Sequence, residues 1–254
     1  MNSSGSIDKQ LVQRRFTNAL HTYDKEATVQ QQIVTRMEEL LPASLPSGAI
    51  FEVGCGTGFL SRILAKHYPS HPLLLNDLCP EVEESLELYS EFIPGDAEHL
   101  SWNNGLAMVA SSSCIQWWHR PMSFFPKAYD SLTSNGILLF STFGPEQMHE
   151  LKALLPSATL SYDSLSTLQE SLENAGFKNI CIYQERTTLF FDSFLMLLKH
   201  LKQTGVNGIR QEDSLTPGRI KEIEQLYRKT FSSEEHNFNL PLTYHAVWGR
   251  AEKI

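Results

Sequence analysis

The stretch Glu52-Val-Gly-Cys-Gly-Thr-Gly58 sets three glycines and a carboxylate directly after the apolar run Ala49–Val53. Gly54 and Gly56 remove Cβ atoms where a backbone must turn tightly and approach a ligand. The helix-forming pattern that follows, Phe59–Tyr68, offers free N–H groups at its start. A dinucleotide loop needs glycine at the sixth position of Gly-x-Gly-x-x-Gly, but that position here is Phe59 and the third glycine is Gly58. Close backbone approach without a pyrophosphate cradle suits a nucleoside that carries an amino acid.

Further acids sharpen this reading. Asp77 ends the apolar run after the first helix, 21 residues beyond Gly56, where a carboxylate can accept both ribose hydroxyls. Asp96 follows Phe92-Ile93 and can take the exocyclic amine of adenine. Glu52 precedes the first glycine and can face a ligand ammonium. Three acids without a phosphate-binding lysine fit a cationic nucleoside better than an anionic one.

These residues need a scaffold, and the chain supplies an alternation of strands and helices. Residues 1–8 read as a tail. Lys9–Leu41 carries apolar residues at helical spacing and ends at Pro42 and Pro46. Strands are expected at Ala49–Val53, Leu73–Leu75, Phe92-Ile93, Leu106–Ala110, Ile137–Phe143, Lys178–Phe191 and Leu242–Glu252. Between them, helices are expected at Phe59–Tyr68, Pro80–Ser90, Pro121–Leu132, Glu146–Leu155 and Ser164–Ala175, with a helical insertion at about 192–238 before the last strand. Strands separated by helices imply an α/β fold: a Rossmann-like, mostly parallel seven-stranded sheet with helices on both faces. The late strands come after the alternation lapses, so the last is expected to be antiparallel. The expected division is a helical lid at 1–45 and one domain at 46–254.

Composition narrows the function classes. At 41% hydrophobic and 20% charged residues the chain can build a core. A net charge of -8 argues against a nucleic-acid binder that relies on overall electrostatics. No apolar run approaches membrane-spanning length, and the polar N-terminus shows no signal peptide. Cys55, Cys79, Cys114 and Cys181 form no C-x-x-C pair, so reduced thiols in a cytoplasmic protein and no metal site are expected.

Glu52–Gly58, Asp77 and Gly95-Asp96-Ala97 together resemble the class I S-adenosylmethionine-dependent methyltransferases over roughly residues 45–145. One departure is Ala107 at the start of the fourth strand, where that family often has Asp. The resemblance implies that Glu52, Gly54, Gly56, Gly58, Asp77, Leu78, Asp96, Ala97, Ser111 and Ser112 hold S-adenosyl-L-methionine and release S-adenosyl-L-homocysteine. The pattern Phe16-x-x-Ala19-x-x-x-Tyr23-Asp24-x-x-Ala27-x-x-Gln30 is similar to the opening helix of the malonyl-acyl-carrier-protein methyltransferases of biotin synthesis. Ile115-Gln116-Trp117, Leu201-Lys202-x-x-Gly205-Val206-Asn207 and Leu240-Pro-Leu-Thr-Tyr-His245 with Gly249 are similar to the same family.

That second resemblance implies methyl esterification of the free carboxylate of malonyl-acyl carrier protein, with malonyl-coenzyme A as an alternative carrier and a monomeric enzyme. A carboxylate with a pKa near about 4 is ionised at neutral pH and needs no general base. An arginine fork is its natural partner once dehydrated. Arg186 is the expected one, with Arg14 and Arg15 as alternatives. Tyr23 is expected near the reacting carboxylate, or else as a half-buried aromatic. His245 stands as a catalytic candidate, although a lone strand histidine is more often structural. Lys199, Lys202, Arg210, Arg219, Lys221, Arg228 and Lys229 are candidates for a basic carrier-binding face, mixed with acids of the insertion. The competing readings are another small acid or a quinone as acceptor, a non-catalytic nucleoside-binding regulator, and a dinucleotide oxidoreductase, the last disfavoured by Phe59.

Overall fold

The computed structural model describes residues 7–86, 91–156, 160–205 and 216–254. Its sheet has seven strands in the order β3-β2-β1-β4-β5-β7-β6. They are β1 (Ile50–Val53), β2 (Leu73–Asp77), β3 (Glu91–Pro94), β4 (Leu106–Ser111), β5 (Leu132–Phe143), β6 (Lys178–Phe191) and β7 (Leu240–Glu252). β7 runs antiparallel to both β5 and β6, and the remaining pairs are parallel. The strands Ile-Phe-Glu-Val, Leu-Leu-Leu-Asn-Asp and Leu-Ala-Met-Val-Ala-Ser are buried along their whole length. Their near-continuous apolar character follows from helices covering both faces.

The helices are α1 (Lys9–Glu26), α2 (Thr28–Glu38), α3 (Phe59–His67), α4 (Phe124–Ser131), α5 (His149–Leu154), α6 (Leu165–Ala175), α7 (Phe194–Gln203) and α8 (Pro217–Phe231). The helical pattern over Lys9–Leu41 forms two helices, broken at Ala27, whose ψ of 46° leaves the helical range. The break lets each half serve a different surface. α1 crosses the ends of the strands, while α2 packs on the sheet, where the Trp248 indole N–H donates to the Ile33 carbonyl at 2.9 Å.

The helix expected at Pro80–Ser90 is a short 3-10 turn over Pro80–Ser85, and residues 87–90 lie outside the described set. The helix expected from Pro121 starts its α-turns at Phe124, which puts Pro126 in the first turn, where a missing N–H costs nothing. Met148 adopts a left-handed φ of 51°, so the helix expected from Glu146 begins at His149. Part of the insertion, including Val206, Asn207 and Arg210, falls outside the described residues.

Candidate active site

The chain enters the sheet at β1, moves outward to β2 and β3, then returns to the other side of β1 at β4. Adjacent loops part at that reversal and leave a crevice beyond the carboxyl ends of the strands, the usual ligand position in such sheets. The cleft found there is floored by the loops after β1, β2 and β4 and roofed by α1.

The glycine loop is shaped by its neighbours. Gly54 has φ +71°, and a Cβ there would lie 2.3 Å from the Cys114 sulfur. Gly56 has φ +54°, and its N–H donates to Oδ2 of Asp77 at 2.9 Å. The other oxygen of Asp77 accepts the Cys79 N–H at 2.8 Å. Asp77 therefore ties the loop after β1 to the loop after β2 and lines the cleft beside Leu78. Its neighbour Asn76 is buried and donates to the carbonyls of Ile93 (2.8 Å) and Gly95 (3.0 Å), which sets the position of Asp96 and Ala97. Lys127 supports that loop from below, donating to the carbonyls of Ala97, Glu98 and Leu100 at 2.6–3.1 Å.

Glu52 is buried and accepts the Ser61 hydroxyl at 2.6 Å. Burial pushes its carboxyl up to about 8; the Ser61 bond lowers it and the nearby Asp77 raises it. Asp77 is also raised by burial, against the pull of the N–H groups of Cys79 and Gly56. Two carboxyls held above their ordinary range at one end of a cleft make it receptive to a cation.

A second observation shows that the cleft is built for a polar guest. Among the described residues, buried polar atoms without a hydrogen-bond partner include Gln30 Oε1, Thr57 Oγ1, Ser113 Oγ and Gln116 Oε1, and all four side chains line this cleft. Orphaned polar atoms are costly unless a ligand or water meets them. The acids and the orphaned groups together fit S-adenosylmethionine, a cation that carries an amino acid and a ribose.

The face of the cleft beneath α1 is aromatic. Tyr23 stacks on Phe59 at 5.8 Å and meets Phe16 edge-on at 5.0 Å. Tyr162 meets Phe143 at 6.0 Å. Burial raises both phenols above their ordinary value, so they stay protonated and can donate. Tyr244 lies just behind them and shares its hydroxyl with His200 Nε2 at 2.8 Å.

The cleft brings together Tyr23, Glu52, Gly54, Gly56, Asp77, Leu78, Asp96, Ala97 and Ser112. The others lie elsewhere. Ser111 points into the sheet, its hydroxyl donating to the Val53 carbonyl at 3.0 Å. Gly58, with φ +86°, starts α3 and does not line the cleft. Arg186 is exposed on β6 and held by Glu146, with its Nε donating to Oε2 at 2.8 Å, so its fork is already engaged outside the cleft. His245 is a buried staple. Its Nδ1 accepts the Glu146 N–H at 3.2 Å, its Nε2 faces Gln184 Oε1 at 2.9 Å, and its ring packs close against Gly144. Burial and then Arg186 lower its pKa, so the ring is neutral and packs as a strand residue.

Lys9, Gln30, Thr57, Gln116, Phe143 and Tyr162 line the cleft and carried no signal as site residues in the sequence. Of these, Gln30, Thr57 and Gln116 stand inside recognised motifs, as members of a pattern without a role.

A methyltransferase-domain family model matches residues 51–140. The malonyl-[acyl-carrier protein] O-methyltransferase of Bacteroides helcogenes is 36% identical over 95% of this chain and 97% of its own length. That of Bacteroides thetaiotaomicron is 35% identical over 97% of this chain and 99% of its own length. Among solved structures, a methyltransferase from Thermotoga maritima matches with a TM-score of 0.57 over 96% of this chain and all of that one. At 14% identity, the last likeness speaks for the fold alone. With a glycine-and-acid cradle at the reversal of the sheet, and with relatives aligned from end to end, the chain belongs to the malonyl-[acyl-carrier protein] O-methyltransferase family.

Proposed function

We propose that this chain transfers the methyl group of S-adenosylmethionine to the free carboxylate of malonyl-acyl carrier protein, leaving the methyl ester and S-adenosylhomocysteine. The observation that carries the reading is one cleft in which an acidic cradle for a cation lies beside aromatic rings and phenol donors that can hold an acid.

Bound in the cradle, S-adenosylmethionine supplies a methyl on positively charged sulfur, the electrophile of the reaction. Glu52 and Asp77 would face its ammonium and ribose, and Asp96 its adenine. The acceptor carboxylate is ionised at neutral pH, so no side chain has to remove a proton. What remains for the chain is to dehydrate and align it. Tyr23 and Tyr162 offer hydroxyl donors, and the Gln30 amide lies along the same wall. A neutral lining has a physical advantage. Opposite charges cancel as the methyl moves, so a strongly held carboxylate would be stabilised more before the reaction than during it. The lid role of residues 1–45 belongs to this reading as well, because α1 roofs the cleft with Val12, Phe16 and Tyr23.

The test is methyl transfer from labelled donor to malonyl-acyl carrier protein, free malonate and malonyl-coenzyme A, beside rescue of a strain unable to begin biotin synthesis. The expected result is a methyl ester on the carrier-linked acid, with growth restored. Binding of the donor with no transfer to any malonyl compound would overturn it.

A further inference from the structure

One ammonium ties the first turn of α1 to the far rim of the cleft. Lys9 Nζ lies 2.7 and 2.8 Å from the two oxygens of Asp96 and 2.5 Å from Oε2 of Glu98. The Lys9 side chain is 12% exposed and that of Glu98 only 5%, so solvent screens this contact poorly.

Glu98 does not line the cleft, yet it is thoroughly anchored. Its two oxygens accept the backbone N–H groups of His119 and Arg120, each at 2.9 Å, and the His119 ring approaches at 3.3 Å. Burial would push the carboxyl up, but the hydrogen bonds from Lys9, His119 and Arg120 hold it down at about 2. The result is a fixed negative post beside the site.

The other end of this contact is the roof. Val12, Phe16 and Tyr23 line the cleft from α1, and Phe16 rests on Gly56 and Gly205. A bound nucleoside would lie beneath that face, so its exchange requires α1 to lift. Other polar ties of this helix to the body include uncharged or loose contacts: Thr22 to the Gln203 carbonyl at 3.1 Å, Thr17 to Glu81 at 3.3 Å and the Cys79 thiol to the Gln13 carbonyl at 3.6 Å.

We propose that Lys9 is a positioning residue whose ion pair with Glu98 latches α1 over the bound nucleoside while its contact with Asp96 presents that carboxylate to the adenine edge. The latch presupposes the nucleoside reading of the cleft. The two contacts are compatible because a carboxylate oxygen accepts two hydrogen bonds. Oδ1 of Asp96 takes Lys9 and the Glu98 N–H at 3.1 Å, while Oδ2 takes Lys9 and keeps capacity for one further donor. The carboxylates thus divide the work: Glu98 sets how long the roof stays closed and Asp96 sets what lies beneath it.

The experiment is stopped-flow displacement of S-adenosylhomocysteine from the full chain, with hydrogen exchange across residues 9–23 of the complex. Lys9→Met and Glu98→Gln should each speed release by about tenfold, the scale of a charge-assisted hydrogen bond, and raise exchange in α1. The double variant should release no faster than the quicker single one, because both remove one interaction. Lys9→Arg should restore slow release. A residue that only supports the fold would lower the unfolding temperature and leave release unchanged. Unchanged release in folded Lys9→Met overturns the latch, as does fast release in Lys9→Met with normal release in folded Glu98→Gln. If Glu98→Gln does not fold, the contrast between Lys9→Met and Lys9→Arg decides. Loss of binding by the unaltered chain would overturn the nucleoside reading and the latch together, whereas binding with unchanged release in the variants removes the latch alone.

Discussion

A carboxyl buried in an empty cradle is a sensor of what fills it. Burial holds Glu52 up to about 8, so the free chain carries it protonated at pH 7. A cation alongside favours the carboxylate, and binding should therefore expel a proton. Calorimetric titration with S-adenosylmethionine at pH 7, in buffers of different ionisation enthalpy, should report release of most of a proton; Glu52→Gln should report none. The same shift fixes a sign for stability. An unfolded glutamate titrates near about 4, so the protonated form favours the fold, and that contribution is lost as pH rises from there through about 8. Chemical unfolding of the free chain should show a fall over this window that Glu52→Gln makes shallower.

The acceptor end supplies a second test at this scale. Tyr162→Phe removes a hydroxyl and keeps the ring against Phe143. The loss should appear in kcat/KM for the malonyl thioester, at about tenfold for a hydrogen bond to a charged group, with S-adenosylhomocysteine affinity unchanged. Arg186→Ala should behave oppositely. Its guanidinium and Glu146 form an exposed pair that solvent screens, so KM should stay where it is and unfolding should shift slightly. The contrast explains what the sequence could convey. Glu52, the glycines and Asp77 lie in or beside one turn, and local spacing gives their meaning. Tyr162, Gln30 and Lys9 reach the cleft from other segments, and no spacing in the chain announces that meeting. A carboxylate calls for an arginine fork, but in Arg186 Glu146 already fills it.

At the scale of elements, the hydrophobic periods located every strand, and the disagreements have local causes. The break at Ala27 arises because the two halves of one amphipathic pattern serve different surfaces. β5 starts at Leu132 rather than Ile137, since Leu132 already pairs with Leu106 and the polar Thr133–Gly136 stretch bulges out before Ile137 pairs with Met108. The antiparallel β7 is the most constrained element, and Gly249 shows why. A Cβ there would sit 2.2 Å from the Phe140 ring, which is wholly buried on β5. Gly249→Ala should destabilise the fold by about 1–3 kcal/mol through overpacking, measured by denaturant unfolding. S-adenosylhomocysteine affinity should survive in the folded fraction, because β7 lies three strands across the sheet from β1 and its glycine loop. Gly54→Ala makes the complementary case, with its new methyl group 2.3 Å from Cys114 inside the cradle. It should lose ligand affinity together with stability.

For the whole molecule, the question is how a chain of net charge -8 engages an acidic carrier. Average repulsion must be overcome by a local surface. The insertion between β6 and β7 narrows the choice. Arg219 is paired with Glu222 and Arg228 with Glu224, so these cations are partly neutralised. On α7, by contrast, Lys199 and Lys202 are exposed and make no ion pair among the described residues. They continue one helical face from Leu195, with Met196 beside it; both apolar side chains are at least half exposed. The same helix ends at Thr204 and Gly205, which line the cleft. A carrier resting on that face would have its tethered acid beside the cleft mouth. Lys199→Glu with Lys202→Glu should raise KM for malonyl-acyl carrier protein by about tenfold at low salt, and the difference should shrink as salt screens it. Turnover of malonyl-coenzyme A and affinity for S-adenosylhomocysteine should not change. Equal losses on both malonyl thioesters would instead mean that α7 shapes the cleft and does not meet the carrier.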